Sequence, residues 1–230
     1  MTLFKKIVIL ALILALPGFL YYLLTAHGKN RYKPLPIYGP KVVAKTSHMV
    51  KGKAIPDTIY HTLSDFNLKD QNGNPVSFST FNKKIFVVNF FYTDCPTVCN
   101  TVSVNIDSLA QNYAKNKMVK FVSVTVNPAH DTPSVLKVYS EKLKPMVPNW
   151  LFLTGDTTTI YNLARKGLLV DALQTGNNEF IYSNKLILVD SEKRIRGYYS
   201  GALMDDLIKL NDEIKVLIAE ELRKNDKPLY

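Results

Sequence analysis

A short apolar run near the middle of the chain limits the possible folds more than any other feature. The run spans Lys84–Tyr92 and is rich in Val, Ile and Phe, a composition typical of a strand that is buried on both faces. Strands of this kind belong to sheets that are covered by helices on both sides. A helical stretch over 98–113 and a further apolar run over 119–126 follow, so the sequence predicts alternating strands and helices.

The segments on either side continue this alternation. Asp70–Asn74 contains an Asn-Gly pair typical of a hairpin turn, and Asp131 with Pro133 marks the start of a helix that ends near Leu143. Further elements are predicted as a strand at 150–153, a helix at 157–166, paired strands at 186–189 and 195–199, and an apolar-striped helix at 203–218. Together these elements predict an α/β fold in which helices flank a central sheet.

The N-terminal region is apolar at first and then basic. Ile7–Ala26 is uncharged over about twenty residues, which is enough for one helical span of a bilayer. A cleaved signal peptide is the alternative, but its apolar stretch is usually about 7–15 residues long. Residues 1–54 contain nine basic and no acidic residues, whereas from Asp57 onward 20 basic residues are balanced by 19 acidic ones. The folded part therefore carries no basic footprint for nucleic acid.

These compositional changes divide the chain of 230 residues into three parts. Residues 1–27 are predicted to form an N-terminal membrane anchor. Residues 28–55 contain several prolines and lysines with little apolar periodicity, which predicts a basic, proline-containing linker. Residues 56–230 are predicted to form a single globular domain.

The two cysteines of the chain, Cys95 and Cys99, follow the predicted central strand and lie at the start of the next helix. The free N–H groups and partial positive charge of a helix N-terminus lower the pKa of a thiol placed there. Four-residue spacing in a helix puts two side chains on one face, which permits a disulfide or two thiolates on one soft metal ion. A structural disulfide and two unrelated buried cysteines are the alternatives, but the strand–cysteine–helix context favours a reactive or metal-binding pair.

The segment Cys95-Pro-Thr-Val-Cys99 resembles the cysteine motif of the Sco/SenC family. The resemblance extends over residues 58–218 through Asp65–Leu68, Asp70–Gly73, Val124–Pro133, Trp150–Gly155, Leu188–Asp190 and Arg196–Tyr199. It implies a thioredoxin-like fold, with a central mixed sheet flanked by helices and an N-terminal transmembrane helix. It also implies a copper chaperone of cytochrome c oxidase assembly, whose partner is an oxidase subunit or another cysteine-containing target protein.

The resemblance implies copper ligation by Cys95, Cys99 and one later histidine. In this chain Tyr182 occupies the position of that histidine, and His130 is the last histidine of the sequence. A protonated phenol is a hard oxygen donor and a poor ligand for Cu(I), whereas two thiolates still hold Cu(I) in a linear arrangement. We therefore expect a weakened copper site that binds Cu(I) better than Cu(II). His130, in a loop after a predicted strand, is a candidate substitute ligand, and an exposed loop histidine is the alternative.

Two functional hypotheses follow. In the first, the chain binds and delivers copper through Cys95 and Cys99. In the second, it is a thiol–disulfide oxidoreductase that works without bound copper, and Cys99 resolves the mixed disulfide formed by Cys95. A third interpretation is a sensor or assembly factor that keeps the fold without the chemistry.

The resemblance also implies a cellular location. It places the chain in a bacterial-type inner membrane as a single-pass protein, with its soluble domain facing the periplasm. Taken alone, the excess of lysine and arginine after the apolar segment favours the opposite orientation, although long domains are often translocated regardless of charge. The predicted orientation therefore depends on the resemblance.

Overall fold

The computed structural model describes residues 3–26, 34–50, 52–95, 98–142, 147–176 and 179–225. It contains two compact units, Met1–Lys33 and Pro34–Tyr230. The described part of the first unit is helix α1 (Leu3–Ala26), which includes Pro17. Within the described ranges, no helix combines the length and the apolar character needed to cross a membrane. The membrane-spanning helix predicted at 7–26 is therefore not confirmed.

The second unit alternates strands and helices, as the sequence predicts. In chain order its strands are β1 (Lys41–Val50), β2 (Lys53–Tyr60), β3 (Leu68–Lys69), β4 (Pro75–Val76), β5 (Ile85–Phe91), β6 (Val119–Thr125), β7 (Trp150–Leu153), β8 (Ala172–Gly176), β9 (Glu179–Tyr182), β10 (Lys185–Val189) and β11 (Ile195–Ser200). Its helices are α2 (Val98–Asn112), α3 (Pro133–Lys142), α4 (Thr157–Asn162) and α5 (Met204–Asn225), with a short 3-10 helix at Phe78–Phe81 and a π-helical turn at Leu163–Gly167.

The central sheet has five strands in the order β11-β10-β5-β6-β7. Strands β5, β6 and β7 are parallel, whereas β10 pairs antiparallel with both β5 and β11. All the residues of β5 are buried, as expected for the apolar run around it. The predicted α/β class is therefore confirmed, and its sheet is mixed.

Apolar side chains cover both faces of this sheet. One cluster joins β5 and β6 to α2, α3 and α5, and includes Ile106, Leu136, Leu210 and Ile214. The other joins the same strands to the β3–β4 hairpin, the 3-10 helix and α4, and includes Phe66, Phe78, Phe81 and Ile160. Because both faces of β5 are buried, its sequence is a nearly continuous apolar run rather than an alternation of apolar and polar residues.

Three two-stranded hairpins lie outside the central sheet. The sequence predicts β3–β4, whose strands flank the turn at Asp70–Asn74, but it predicts neither of the other two. Strands β1 and β2 form one of these two, and all of β1 lies inside the segment 28–55 that is predicted as a linker. Nearly all of its side chains are exposed, which leaves no buried face to produce an apolar periodicity. Strands β8 and β9 form the second hairpin, which brings Tyr182 to the end of β9.

A buried cluster of charges attaches residues 34–36 to the domain. Arg196 is only 3% exposed and pairs with Asp190 at 3.1 Å and with Glu220 at 2.7 Å. Its guanidinium also donates to the carbonyl oxygens of Leu35 and Pro36, at 2.8 and 3.2 Å. The carboxylate of Glu220 accepts the Leu35 N–H at 2.8 Å, so the chain entering the domain is held by both charges.

Candidate metal and thiol site

The cysteine pair lies where the central strand meets the next helix. Cys95 follows the end of β5, and Cys99 lies in the first turn of α2. Cys95 is disulfide-bonded, and the described residues include no free cysteine. The side chain of Cys99 lies outside the described part of the structure. Cys99 therefore lies where the N-terminus of a helix carries its partial positive charge.

Tyr182 contacts Cys95. Its hydroxyl oxygen lies 3.1 Å from Cys95 Sγ. A disulfide sulfur carries no proton, so the phenol donates this hydrogen bond. Burial raises the pKa of Tyr182 to about 12, and the nearby Tyr92 and Tyr139 add to the shift. The hydroxyl therefore stays protonated at physiological pH and acts as a donor toward sulfur.

Aromatic rings hold Tyr182 in this position. The rings of Tyr92 and Tyr182 meet edge to face with their centroids 5.8 Å apart, and Tyr92 also packs on Phe180 at 5.1 Å. Tyr92 directly follows β5, whereas Phe180 and Tyr182 belong to β9. This packing fixes the β8–β9 hairpin against the end of the central strand. The sequence identifies Tyr182 through the family resemblance, but it carries no signal for its aromatic neighbours.

Asp131 organises the polar side of the site. This carboxylate is fully buried and accepts hydrogen bonds from the backbone N–H of Thr93 at 3.1 Å and from the hydroxyls of Thr93 and Thr125. His130 Nδ1 lies 2.9 Å from Asp131, and its Nε2 lies 3.5 Å from Asp94. The hydrogen bond to Asp131 and the charge of Asp94 raise the pKa of His130. The sequence predicts Asp131 only as a helix cap, because the threonine partners lie on other strands or loops.

Replacing Asp131 tests this network. Asp131→Asn is expected to lower the free energy of unfolding by about 1–3 kcal/mol, because an amide group cannot accept from every donor around it. The pKa of His130 should fall toward its ordinary value, since its main partner loses its charge. Denaturant unfolding and an NMR titration of the imidazole measure the two effects.

Asp94→Asn is the matched control. Asp94 is exposed, so this variant should lower the His130 pKa by less and leave the unfolding free energy nearly unchanged. An unchanged His130 pKa in Asp131→Asn would contradict the assigned contact.

An open cleft of about 360 Å³ adjoins the site. It is lined by Thr93, Asp94, His130, Val138, Tyr139 and Lys142, together with neighbouring residues of α3. The lining combines the ionisable side chains of Asp94, His130 and Lys142 with the apolar side chains of Val135 and Val138. Thr93 and Asp94 of this lining belong to the loop that carries Cys95.

The described side chains do not assemble a complete metal site. Among them, no group of three or more His, Cys, Asp or Glu residues could hold one metal ion. Both ring nitrogens of His130 face carboxylates, Asp131 and Asp94, so the substitute-ligand role of His130 stays a prediction. The oxygen of Tyr182 beside Cys95 is a protonated phenol, which is a poor copper ligand.

A mixed sheet with a cysteine pair between its central strand and the following helix defines a thioredoxin-like protein. The family model described as SCO1/SenC matches residues 57–218, and the chain belongs to this family. It is 26% identical over 153 residues to the "SCO1 protein homolog" of Bacillus subtilis, a match that covers 65% of this chain and 79% of that protein.

Solved structures agree with the fold. A SCO1/SenC family lipoprotein from Bacillus anthracis is 26% identical with a TM-score of 0.64, and the match covers 69% of this chain and 95% of that one. ScoI from Bradyrhizobium japonicum with copper bound is 23% identical with a TM-score of 0.58, covering 68% of this chain and 99% of that one. The predicted thioredoxin-like fold is therefore confirmed.

Proposed function

We propose that this chain is a copper-handling thiol protein of cytochrome c oxidase assembly, in which the reduced Cys95 and Cys99 bind Cu(I). The observation that carries the proposal is the position of the two cysteines: Cys95 follows the central strand β5, and Cys99 lies in the first turn of α2. Membership of the SCO1/SenC family supports it, as does the likeness to a relative described with copper bound. The target is an oxidase subunit or another protein with accessible cysteines.

The 3.1 Å contact between the Tyr182 hydroxyl and Cys95 Sγ indicates how this site differs from a copper site with three ligands. In the proposal, Tyr182 occupies the position of the family's histidine ligand. Because its pKa is raised to about 12, its oxygen keeps its proton and donates to sulfur rather than binding the metal. Two thiolates suit Cu(I), whereas Cu(II) prefers nitrogen and oxygen donors and should bind weakly.

The oxidation state of the pair controls this activity. In the proposal, the disulfide partner of Cys95 is Cys99, because the sequence has only one other cysteine. Breaking this disulfide takes two electrons and two protons, which a dithiol protein supplies while becoming a disulfide itself. Only the reduced form offers two thiolates to copper, so reduction must come before copper binding.

Copper titration of the reduced protein tests the proposal. Wild type is expected to bind one Cu(I) per chain under anaerobic conditions against a competing chelator. Cys95→Ser and Cys99→Ser should each lose this binding, because a hydroxyl replaces a soft thiolate. His48→Ala, at a histidine that pairs with Asp57 in the β1–β2 hairpin, is the control and should bind as wild type does, whereas His130→Ala tests the predicted substitute ligand. Tight binding that survives either cysteine substitution would contradict the assignment.

A thiol–disulfide oxidoreductase without copper is the second candidate. The bonded state of Cys95 and the phenol directed at its sulfur both favour it, since the same donor stabilises a leaving or attacking thiolate. In this reaction Cys95 attacks a target disulfide, and Cys99 then releases the target as a dithiol while the pair is oxidised. Catalysed disulfide reduction without any Cu(I) binding would favour this candidate over the first.

Removal of the Tyr182 hydroxyl should shift the redox equilibrium of the pair. In Tyr182→Phe the thiolate loses a donor, whereas the disulfide loses little, so the oxidised form gains relative stability. We expect a reduction potential about 30 mV more negative, equivalent to roughly tenfold in the equilibrium constant. Equilibration with defined thiol–disulfide buffers measures it.

Tyr92→Phe serves as the matched variant for this measurement. It removes a phenol from the same aromatic cluster while Tyr182, the residue that contacts Sγ, is retained. Equal shifts in the two variants would contradict a specific role for the Tyr182 hydroxyl.

We also propose that the chain is attached to a membrane through its apolar segment at 7–26, with the domain on the periplasmic side. The uncharged length of this segment supports attachment, as does the relative that is described as a lipoprotein. Fractionation of cells that express the full chain or residues 34–230 tests it. Equal amounts of both forms in the soluble fraction would contradict attachment by this segment.

A further inference from the structure

The hairpin formed by β1 and β2 exposes apolar side chains on both faces. Val42 is paired with Ile59, and the two side chains are 61% and 58% exposed. Paired residues of an antiparallel ribbon lie on the same face, so these two form one apolar patch. Val43 and Met49, which are 72% and 69% exposed, add further apolar surface along β1. An uncovered two-stranded hairpin is at best marginally stable in water, which indicates that another surface covers this one.

The charges on the β1–β2 hairpin indicate the chemical character of the surface that covers it. Lys41, Lys45 and Lys53 are exposed on its strands. Its single acidic residue, Asp57, lies 2.6 Å from His48 Nδ1. Hydrogen bonds from Thr46 and His48 lower the pKa of Asp57, so the hairpin carries one carboxylate against its three exposed lysines. The hairpin is therefore both apolar and net positive, and its complement must be apolar and negative.

An anionic phospholipid surface meets both requirements. Its phosphates attract lysines near the bilayer, and the boundary below the headgroups accepts apolar side chains. A second copy of this chain would bring the same positive charge, and a nucleic acid would leave the valine and isoleucine side chains uncovered. In sequence, Lys41 comes fifteen residues after Ala26, where the apolar helix α1 ends.

We propose that the β1–β2 hairpin binds the headgroup region of an anionic membrane. The lysines contact lipid phosphates, and the exposed valine, isoleucine and methionine side chains enter the interface between headgroups and acyl chains. This inference rests on the proposed membrane attachment of the chain, and it is independent of copper binding and thiol chemistry.

Hydrogen exchange on the full chain in liposomes tests the proposal. The protein is reconstituted into vesicles of neutral phosphatidylcholine or of phosphatidylcholine mixed with anionic phosphatidylglycerol. Amides within 41–50 and 53–60 are expected to exchange roughly fivefold to tenfold more slowly on the anionic vesicles, because each lysine near such a surface adds favourable binding energy. The protection should fall in high salt, since exposed charges are screened.

Two variants with the same change in net charge distinguish binding by the hairpin from general electrostatic attraction of the protein to anionic vesicles. A triple variant with Lys41→Glu, Lys45→Glu and Lys53→Glu should lose the protection. The control carries Lys115→Glu, Lys117→Glu and Lys137→Glu, at exposed positions outside the hairpin, and should keep it. Vesicle flotation of every variant reports attachment of the chain separately, so a failure of membrane attachment is distinguished from a failure of the hairpin to bind.

Each outcome decides the proposal. Equal exchange on neutral and anionic vesicles, with the chain still attached, would overturn it. Protection at 41–60 that depends on protein concentration rather than on lipid charge would assign the surface to a protein contact and would also overturn it. Ile59→Asp gives an independent variant, which should reduce protection on anionic vesicles without changing the lysines.

Discussion

Tyr182→His is expected to raise the affinity of the reduced protein for Cu(II) by a factor on the order of 100 or more. The substitution replaces a phenol, held protonated by a pKa of about 12, with a nitrogen ligand that Cu(II) prefers. The side chain starts from a position 3.1 Å from Cys95 Sγ, so the new ligand is introduced next to a thiolate. Anaerobic competition titration, together with the thiolate-to-copper absorption band, measures the change.

Tyr161→His is the control for this experiment. Tyr161 is also a partly buried tyrosine whose hydroxyl is hydrogen-bonded, but its partner is the Val126 carbonyl at 3.2 Å. Its replacement adds a histidine to the chain without adding one beside Cys95, so Cu(II) affinity should not change. A wild-type protein that binds Cu(II) as tightly as Tyr182→His would show that the phenol is no obstacle to copper.

Arg196→Met should lower the free energy of unfolding by about 3–5 kcal/mol. Arg196 is 3% exposed, and Met of similar length leaves Asp190 and Glu220 in place without their shared cation. Asp190 keeps its ion pair with Arg194 at 2.8 Å, so the carboxylate of Glu220, which loses its pairing with Arg196, accounts for most of the electrostatic cost. The carbonyls of Leu35 and Pro36 also lose their donors, so residues 34–36 should become sensitive to proteolysis. Denaturant unfolding of the oxidised protein and limited proteolysis measure the two effects.

A surface ion pair provides the comparison for Arg196. Lys215 and Asp212 lie 2.9 Å apart on α5, and both side chains are more than half exposed. Lys215→Met should change the unfolding free energy by less than about 1 kcal/mol, because water solvates both charges after the pair is broken. If the two variants were equally stable, the buried cluster would not stabilise the domain as its geometry indicates.

The sequence predicts the central part of this fold well because buried strands and helices have a recognisable distribution of apolar residues. Strand β5 lies between helical layers on both sides, so nearly every one of its residues is apolar and the run stands out. Helix α5 likewise carries an apolar stripe over Leu207, Leu210, Ile214 and Leu217, all of which are buried. The predicted bounds of both elements lie within a few residues of those observed, apart from the longer C-terminal end of α5.

The β1–β2 and β8–β9 hairpins are not predicted, for the opposite reason. The β1–β2 hairpin buries almost nothing within the described structure, and the β8–β9 hairpin is short and has a half-exposed face. Strands of this kind are stabilised by main-chain hydrogen bonds, which leave no trace in side-chain composition.

The site shows the same division between local and distant information. The cysteine pair and its place at a helix start are local in sequence, and both are predicted. The contact between Cys95 and Tyr182 joins residues 87 positions apart, and the network around Asp131 joins Thr93 to a loop 38 positions away. Contacts between residues so far apart in sequence cannot be predicted from the local spacing of residues in a single sequence. Only the resemblance to a known family singles out Tyr182.

The attachment of residues 34–36 has a mechanical consequence. Arg196 and the Tyr38–Ile195 backbone hydrogen bond both join the entering chain to β11, the edge strand of the sheet, rather than to β5. Tension applied to the domain through its N-terminal end is therefore borne first by this edge and by α5, which carries Glu220. Two hydrogen-bonded strand pairs separate that load from the loop of Cys95. In the described part of the chain, the loop of Cys95, which follows the central strand β5, is therefore not directly bonded to the residues at which the entering chain is held.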